Sequence, residues 1–338
     1  MFKNSLISLL TTVLLSLILL VSCLKNSVDV PIVTTVNITI ITQTTASGGG
    51  TISSDGGSEI TSKGICWSTN HNPSEADSKT ADGTGTSSFK SSLTGLTSNT
   101  TYYVRAYATN CDGTGYGDEL SFTTLKDLVF GSVNDVEGNT YKTIQIGTQL
   151  WLAENLKTTK YNDGSAISNV SDYNQWKALI SPAFCYYQNV ILFKDTFGAL
   201  YNWYSVNTSK LCPAGWHIPT DNEWHSLILY LDPSATNNSN ESYTAGAKLK
   251  VPGNKYWIFY NSDATNESGF SALGAGLRNL ESVSVGNDFF AGFLGAWWTS
   301  TENDGSYAWG RGMNSQYARV DRSTYLKWFG LSVRCIKD

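Results

Sequence analysis

The chain has 338 residues, more than one ordinary domain holds and enough for two, each with its own core. Only 15% of it is charged, while 30 Gly, 18 Tyr and 11 Trp suit β-rich extracellular modules with polar turns. A formal charge of -5, with no long run of Lys or Arg, leaves counterion release from a phosphate backbone nothing to work with and excludes nucleic acid as a partner.

The first 23 residues, "MFKNSLISLLTTVLLSLILLVSC", place a cation at Lys3, an apolar run from Leu6 to Val21 and a small residue, Ser22, before Cys23. That is a leader pattern, and the rival reading of the same run is a transmembrane anchor. "LVSC" resembles the bacterial lipobox, whose cysteine receives the lipid after cleavage. The resemblance implies a signal peptide over 1–22, an acylated Cys23 and a tether over 23–30. Each buried CH₂ of an acyl chain is worth about 0.8 kcal/mol, so several chains hold a protein on a bilayer. The expected location is the outer membrane, with the cell surface favoured over the periplasmic face. Five cysteines follow Cys23, an odd number with no CxxC among them, and in an oxidising compartment disulfides are the default.

Residues 31–125 read as short strands separated by Gly, Ser, Asn and Asp clusters: "VNITII", "GGGTIS", "KGICWST", "SFKSSL", "TYYVRAYA" and "ELSFTT". Such spacing without a helical stripe predicts a β-sandwich. In "TYYVRAYA", Tyr102, Val104, Ala106 and Ala108 share one face and Tyr103, Arg105 and Tyr107 the other. Leu96, six residues before Tyr102, together with "GICWS" and "YATNCDGTGYG", resembles a fibronectin type III module, which implies a spacer or docking piece.

Residues 126–338 have a different texture, because ten of the eleven tryptophans lie there. Large aromatics, more than an aliphatic mass, are expected to fill this core. "GNTYKTIQIGTQLWLAENL" predicts a hairpin turning at Gly147. "DVEGNTY" predicts a tight turn at Gly138-Asn139, since the spacing fails the EF-hand loop. In "LCPAGWHIPTDNEW", Thr220 followed by Glu223 is a capping box. Trp224, Leu227, Ile228 and Leu231 then fall on one helical face, and Asp232-Pro233 stops the helix. Asp221 and Glu223 suit the helix dipole by about 0.3–1 kcal/mol each, so no proton transfer is needed to explain them. His217 and His225 lack the i, i+4 spacing of a metalloprotease helix, and neither a metal nor another cofactor is expected. Cys212 precedes this helix and Cys335 lies in the closing strand "LSVRC". A bond between them would close a loop of over a hundred residues, worth roughly 4–5 kcal/mol as an upper figure.

"NDVEGNTYKTIQIGTQLWLAENLKTTKYNDGS", "FGALYNWYSVNTSKLCPAGWHIPTDNEWHSL", "AGAKLK", "ATNESGFSALGAGLRN", "GAWWTSTEND" and "FGLSVRC" together resemble the Fibrobacter succinogenes major paralogous domain, from about residue 130 to 338. More distantly, "HIPTDNEW" and "GLSVRC" resemble the C-type lectin-like fold shared with formylglycine-generating enzymes. The expected fold class is therefore mainly β with some α: a fibronectin type III-like β-sandwich over 31–125 and an α+β C-type lectin-like domain over 126–338. The resemblance implies a twisted antiparallel sheet, one or two helices, adjacent termini and a bridge equivalent to Cys212–Cys335. Neither relative's chemistry carries over. The EPN, QPD and WND ligands of lectin calcium are missing, as are the late reactive cysteines of the formylglycine enzymes.

The chain also lacks GxSxG, HExxH, a P-loop and GxGxxG. Glu302 with Asp304, and Asp263 with Glu267, are nominal carboxylate pairs for glycoside hydrolysis. "GAWWTSTENDGSYAWGR" gathers flat rings and planar polar groups, the combination a sugar ring wants. Trp298, Glu302, Asn303, Trp309 and Arg311 are accordingly the expected ligand-binding residues, with Tyr317, Arg319 and Arg322 extending the surface. Of the consecutive pair Trp297 and Trp298, at least one must point inward. The function expected is a lipid-anchored binding or adhesion protein, a spacer presenting a recognition head to glycans or surface proteins, without enzymatic activity. The alternative is an enzyme acting on envelope or polysaccharide substrates through a carboxylate pair.

Overall fold

The computed structural model describes residues 29–258, 261–279 and 291–338. The leader expected over 1–22, the acylated Cys23 and most of the 23–30 tether lie outside the described residues. The chain divides into two compact units, Met1–Asp127 and Leu128–Asp338, at the expected join. Both are mainly β.

All six strands expected in the first unit form. Ile32–Thr39, Ala46–Ser54 and Phe89–Leu93 make one antiparallel sheet, while Ser62–Ser68 and Thr101–Thr109 are the centre of the second. Tyr102, Val104, Ala106 and Ala108 are buried as the alternation requires, the first two packed with Ile65, Leu93, Leu96 and Phe122 and the last two with Val33 and Ile60. The Tyr102 hydroxyl accepts the Thr97 amide at 2.9 Å, closing the corner that the Leu96–Tyr102 spacing predicts. The glycine run in Ala46–Ser54 has a packing reason. A Cβ on Gly48 would lie 2.6 Å from the Ile65 side chain, and one on Gly50 would collide with the Phe89 ring and Ala106. This is a fibronectin type III-like sandwich. Cys66 is a free buried thiol, so it does not pair with Cys111.

The second unit is built on three sheets and one long helix. A five-stranded sheet runs in the order Trp216–His217, Ile336–Lys337, Gln149–Leu152, Thr140–Ile146, Phe130–Asn134. A four-stranded sheet runs Asn240–Ser242, Val320–Leu326, Tyr307–Asn314, Leu294–Glu302. The third and smallest joins Ser168–Asn169, Ala183–Tyr186 and Ala199–Tyr201. The expected hairpin pairs Ile146 with Gln149 across Gly147, which has φ 59°.

Strand side chains here reach two separate cores. Tyr141 and Leu152 enter one, while Ile144, Ile146 and Trp151 enter the other, on the opposite face. Trp298 and Trp297 divide in the same way. A sheet covered on both sides leaves no solvent face, so consecutive aromatics are both buried. The helix Asp221–Leu231 carries the Thr220–Glu223 capping box and buries Trp224, Leu227, Ile228 and Leu231. Cys212 and Cys335 are bonded across 123 residues.

Candidate functional site

The acidic part of the expected site is a hairpin turn. Between Leu294–Glu302 and Tyr307–Asn314, the Asp304 carboxylate accepts the Ser306 amide at 2.8 Å and the Tyr307 amide at 2.9 Å. Those amides hold its carboxyl below the usual range. Asn303 donates to Asp304 at 2.8 Å. Glu302 is exposed and paired with the buried Lys327 ammonium, which also donates to the Gly305 carbonyl at 3.0 Å and lies over the Trp203 ring. In the other nominal pair, Glu267 is bridged to Lys248 at 3.2 Å.

The five expected binding residues do not form one surface. Trp298 is fully buried, its indole N–H donating to the Tyr201 carbonyl at 2.8 Å. Arg311 is also fully buried. Neither can meet a ligand, because the sheet they belong to has a core on each side. Trp309 is half-buried, and the Arg322 guanidinium lies 3.5 Å from its ring centre, covering the face a sugar would use. Glu302 and Asn303 remain exposed at the hairpin tip.

Arg311 belongs to an ion network at the start of the long helix. It donates to the Asp221 carboxylate at 2.6 Å and contacts Glu241, which is buried and accepts from His225 at 2.6 Å. Arg322 adds a second guanidinium to Asp221, at 2.8 Å. Burial pushes the Asp221 carboxyl up, but the two guanidinium groups outweigh it and the net direction is down. The helix, the Asn240–Ser242 strand and two central strands are thereby bolted together.

The two histidines go to different partners, so no shared metal nest forms. His217 bridges Asp338 at 2.6 Å and Glu223 at 3.0 Å, while His225 serves Glu241. Among the described residues no His, Cys, Asp and Glu cluster suits a metal ion. Burial opposes the His217 charge, yet the two carboxylates overcome it and raise its ionisation.

The sequence reading missed a cleft in the same unit. A cleft of about 120 Å³ is lined by Glu154, Asn155, Lys157, Asp195, Ser271 and Arg334, among others. Arg334 is fully buried. It donates to Asn155 Oδ1 and the Leu152 carbonyl at 2.8 Å, to the Phe270 carbonyl at 2.7 Å and to the Ser271 carbonyl at 3.0 Å. Burial draws its ionisation down to about 9, and it remains cationic at neutral pH. Asn155 also accepts the Trp297 indole N–H at 2.9 Å. Lys157 reaches Asp195 at 3.5 Å. A signal was present in the sequence: Arg334 interrupts the apolar run "LSVRC", which the structure places just before the closing strand Ile336–Lys337 and not within it, and a charge inside such a run is a buried charge with assigned partners.

Four segments meet at this cleft: "WLAENL", "TFGAL", "SGFSAL" and "SVRC". Each carries part of the resemblance noted above. The model of the Fibrobacter succinogenes major domain matches residues 144–337. The chain belongs to this family. The major domain thus spans the ion network, the disulfide and the cleft, and leaves out the first strand of the second unit.

No curated protein matches the chain. Among solved structures, it is similar to the chicken CNTN1 FN1-FN3 domains, at 16% identity over 30% of this chain and 34% of that one, TM-score 0.24. Domains from titin match at 21% over 29% of this chain and 33% of theirs, TM-score 0.23. The sensor domain of the anti-sigma factor RsgI4 from Pseudobacteroides cellulosolvens matches at 18% over 30% of this chain and all of that one, TM-score 0.23. The chain thus spans about a third of the length of the first two. At these scores the likeness adds nothing to the strand pairing already described.

Proposed function

We propose that the protein is a lipid-anchored envelope protein whose fibronectin type III-like sandwich carries a recognition head of lectin-like fold. The head binds partners at the cell surface, glycans among them, and does not transform them. The observation behind this reading is the state of the carboxylates. Asp304 is tied to turn amides, Glu302 to Lys327, Glu267 to Lys248, and Asp221 to two guanidinium groups. The amides at Asp304 and the guanidinium groups at Asp221 hold those two carboxyls below the usual range, whereas a general acid needs a carboxyl held protonated near neutral pH. The surface left for a glycan is the hairpin tip, with Glu302, Asn303 and the exposed Tyr307 beside it.

The test is retention of the full-length chain on a glycan array, with a hydrolysis assay on the same sugars. Retention without product, reduced by Asn303→Ala, is the expected result. Turnover abolished by Glu302→Gln or Glu267→Gln would establish the enzyme instead.

A further inference from the structure

Two aliphatic patches of opposite shape face water among the described residues, and in each the backbone leaves its ordinary range. The first is a turn in the second unit. Val190, Ile191 and Leu192 follow one another along it, with Ile191 66% and Leu192 84% exposed. They stand on Phe193, whose ring lies 5.1 Å from that of Tyr187 and 5.9 Å from that of Phe197. Gln188 and Asn189, just before them, have φ of 52° and 57°. Non-glycine residues seldom adopt that conformation, and such outliers gather at binding and clamp segments.

The second patch is a trench of about 670 Å³ on the outer face of the three-stranded sheet of the first unit. Strand register sets its cross-section. Val36 pairs with Gly49 and Gly49 with Lys90, so the middle of the row has no side chain. It cannot acquire one, because a Cβ on Gly49 would lie 2.3 Å from the Phe89 carbonyl oxygen. Val36 and Ile40 line the same trench, and Ile40 is 69% exposed with φ 50°. For a β-branched residue that conformation is an outlier.

Neither patch presents an exposed aromatic face, so a sugar gains little at either. A stable interface buries about 800 Å² on each partner, more than a three-residue tip supplies against a flat surface. Seated in a trench, the same tip is covered on several sides at once. The trench has the volume of an ordinary ligand pocket, a bare floor and aliphatic side chains beside it.

We propose that the Val190–Leu192 tip of one copy docks in the Gly49 trench of a second copy of this chain. The contact joins unlike surfaces, so each end of an assembly keeps a free tip or a free trench and association runs head to tail without closing. It shares no residue with the hairpin between Glu302 and Tyr307, so it holds or fails independently of the function proposed above.

The test is sedimentation velocity of the detergent-solubilised full-length chain over about a hundredfold range of concentration. The mean mass is expected to climb past the dimer as concentration rises. Leu192→Asp, which spoils the tip, and Val36→Asp, which spoils the trench, are each expected to weaken association about tenfold or more. Mixed together, these two variants keep one intact contact between them and are expected to form a one-to-one dimer and nothing larger. Ile40→Gly relieves the left-handed residue, so it is expected to weaken association without lowering the thermal unfolding temperature. A chain that stays monomeric at every concentration overturns the proposal. So do association unchanged in both aspartate variants, a mass that stops at the dimer in the unmodified chain, and a mixture that stays monomeric. A nitroxide on Leu192→Cys buried among acyl chains in vesicles would give the tip to a bilayer instead.

Discussion

At the scale of single residues, this protein repeatedly buries a cation on an aromatic face and lets it hold backbone carbonyls. Lys63 lies over Phe89 and donates to the Gly85 and Ser87 carbonyls. Lys250 lies over Trp257 and holds Asn314 and Tyr317, Arg278 lies over Trp176 and holds Val170 and Ser171, and Arg334 lies over Phe270. Each ring supplies quadrupole attraction, and each donor satisfies carbonyls of irregular backbone that no sheet would satisfy. Burial draws the Lys250 ammonium down to about 8. The Arg311 network differs in having buried counter-charges, so removing one partner strands the other. Asp221→Ala is expected to cost about 3–5 kcal/mol in urea unfolding. Glu302→Gln, at a pair of which only Glu302 is exposed, is expected to cost less, since Lys327 keeps the Gly305 carbonyl and the Trp203 ring. A smaller loss for Asp221→Ala than for Glu302→Gln would remove the network's structural role.

His217 adds a pH dependence at the same scale. Its ionisation is raised in the folded chain, so the stabilisation is fully present below the unfolded value of about 6.5 and is lost as pH rises through the folded one. The side chain is 39% exposed, so solvent screens the effect and the slope is modest. Thermal unfolding between pH 5.5 and 8.5 is expected to show it, and His217→Ala to flatten it. An unchanged slope in that variant would assign the effect elsewhere.

At the scale of elements, the long helix and the closing strand are fastened at one junction. Trp216–His217 pairs with Ile336–Lys337, the Asp338 amide donates to the Gly215 carbonyl at 3.1 Å, and Cys212 is bonded to Cys335. The hydrogen bonds hold the junction in the folded state, while the disulfide restricts the unfolded chain. Reduction is expected to lower stability by up to about 4–5 kcal/mol, read as a fall in denaturant midpoint. Non-reducing mass spectrometry is expected to find the linked peptide, and free thiols at both positions would contradict the fold. Thr220→Ala, which removes the hydroxyl oxygen that accepts the Glu223 amide N–H, is expected to cost about 1 kcal/mol.

At the scale of the whole molecule, the proposed lipid anchor lies in a segment outside the described residues. Among those described, no helix is long and apolar enough to cross a membrane. If Cys23 carries the proposed lipid, Cys23→Ser is expected to move the protein from the membrane to the soluble fraction in its host. Retention of that variant in the membrane after a salt wash would instead support the transmembrane reading of Leu6 to Val21. Local grammar was legible at this scale too: the six sandwich strands, the Gly147 hairpin and the capping box each follow from nearest-neighbour chemistry, whereas the cysteine pair, 123 residues apart, was legible through its placement and the family resemblance. The exposure of Glu302 and Asn303 was legible as well, since polar turn residues are exposed whatever surrounds them.

What the sequence by itself determined is the set of elements and their ends, because turn residues, caps and hydrophobic periods act over a few positions along the chain. Only the tertiary structure decided which faces are covered. Alternation assigns Trp297 and Trp298 to opposite faces, but whether one of those faces meets water depends on segments 97 and 142 residues away, the Tyr201 carbonyl and Asn155 that receive their indole protons. The same distance in sequence hid the cleft. Glu154, Asp195, Ser271 and Arg334 become neighbours only when four separate segments pack together, and a charge earns its meaning from the groups that surround it in space.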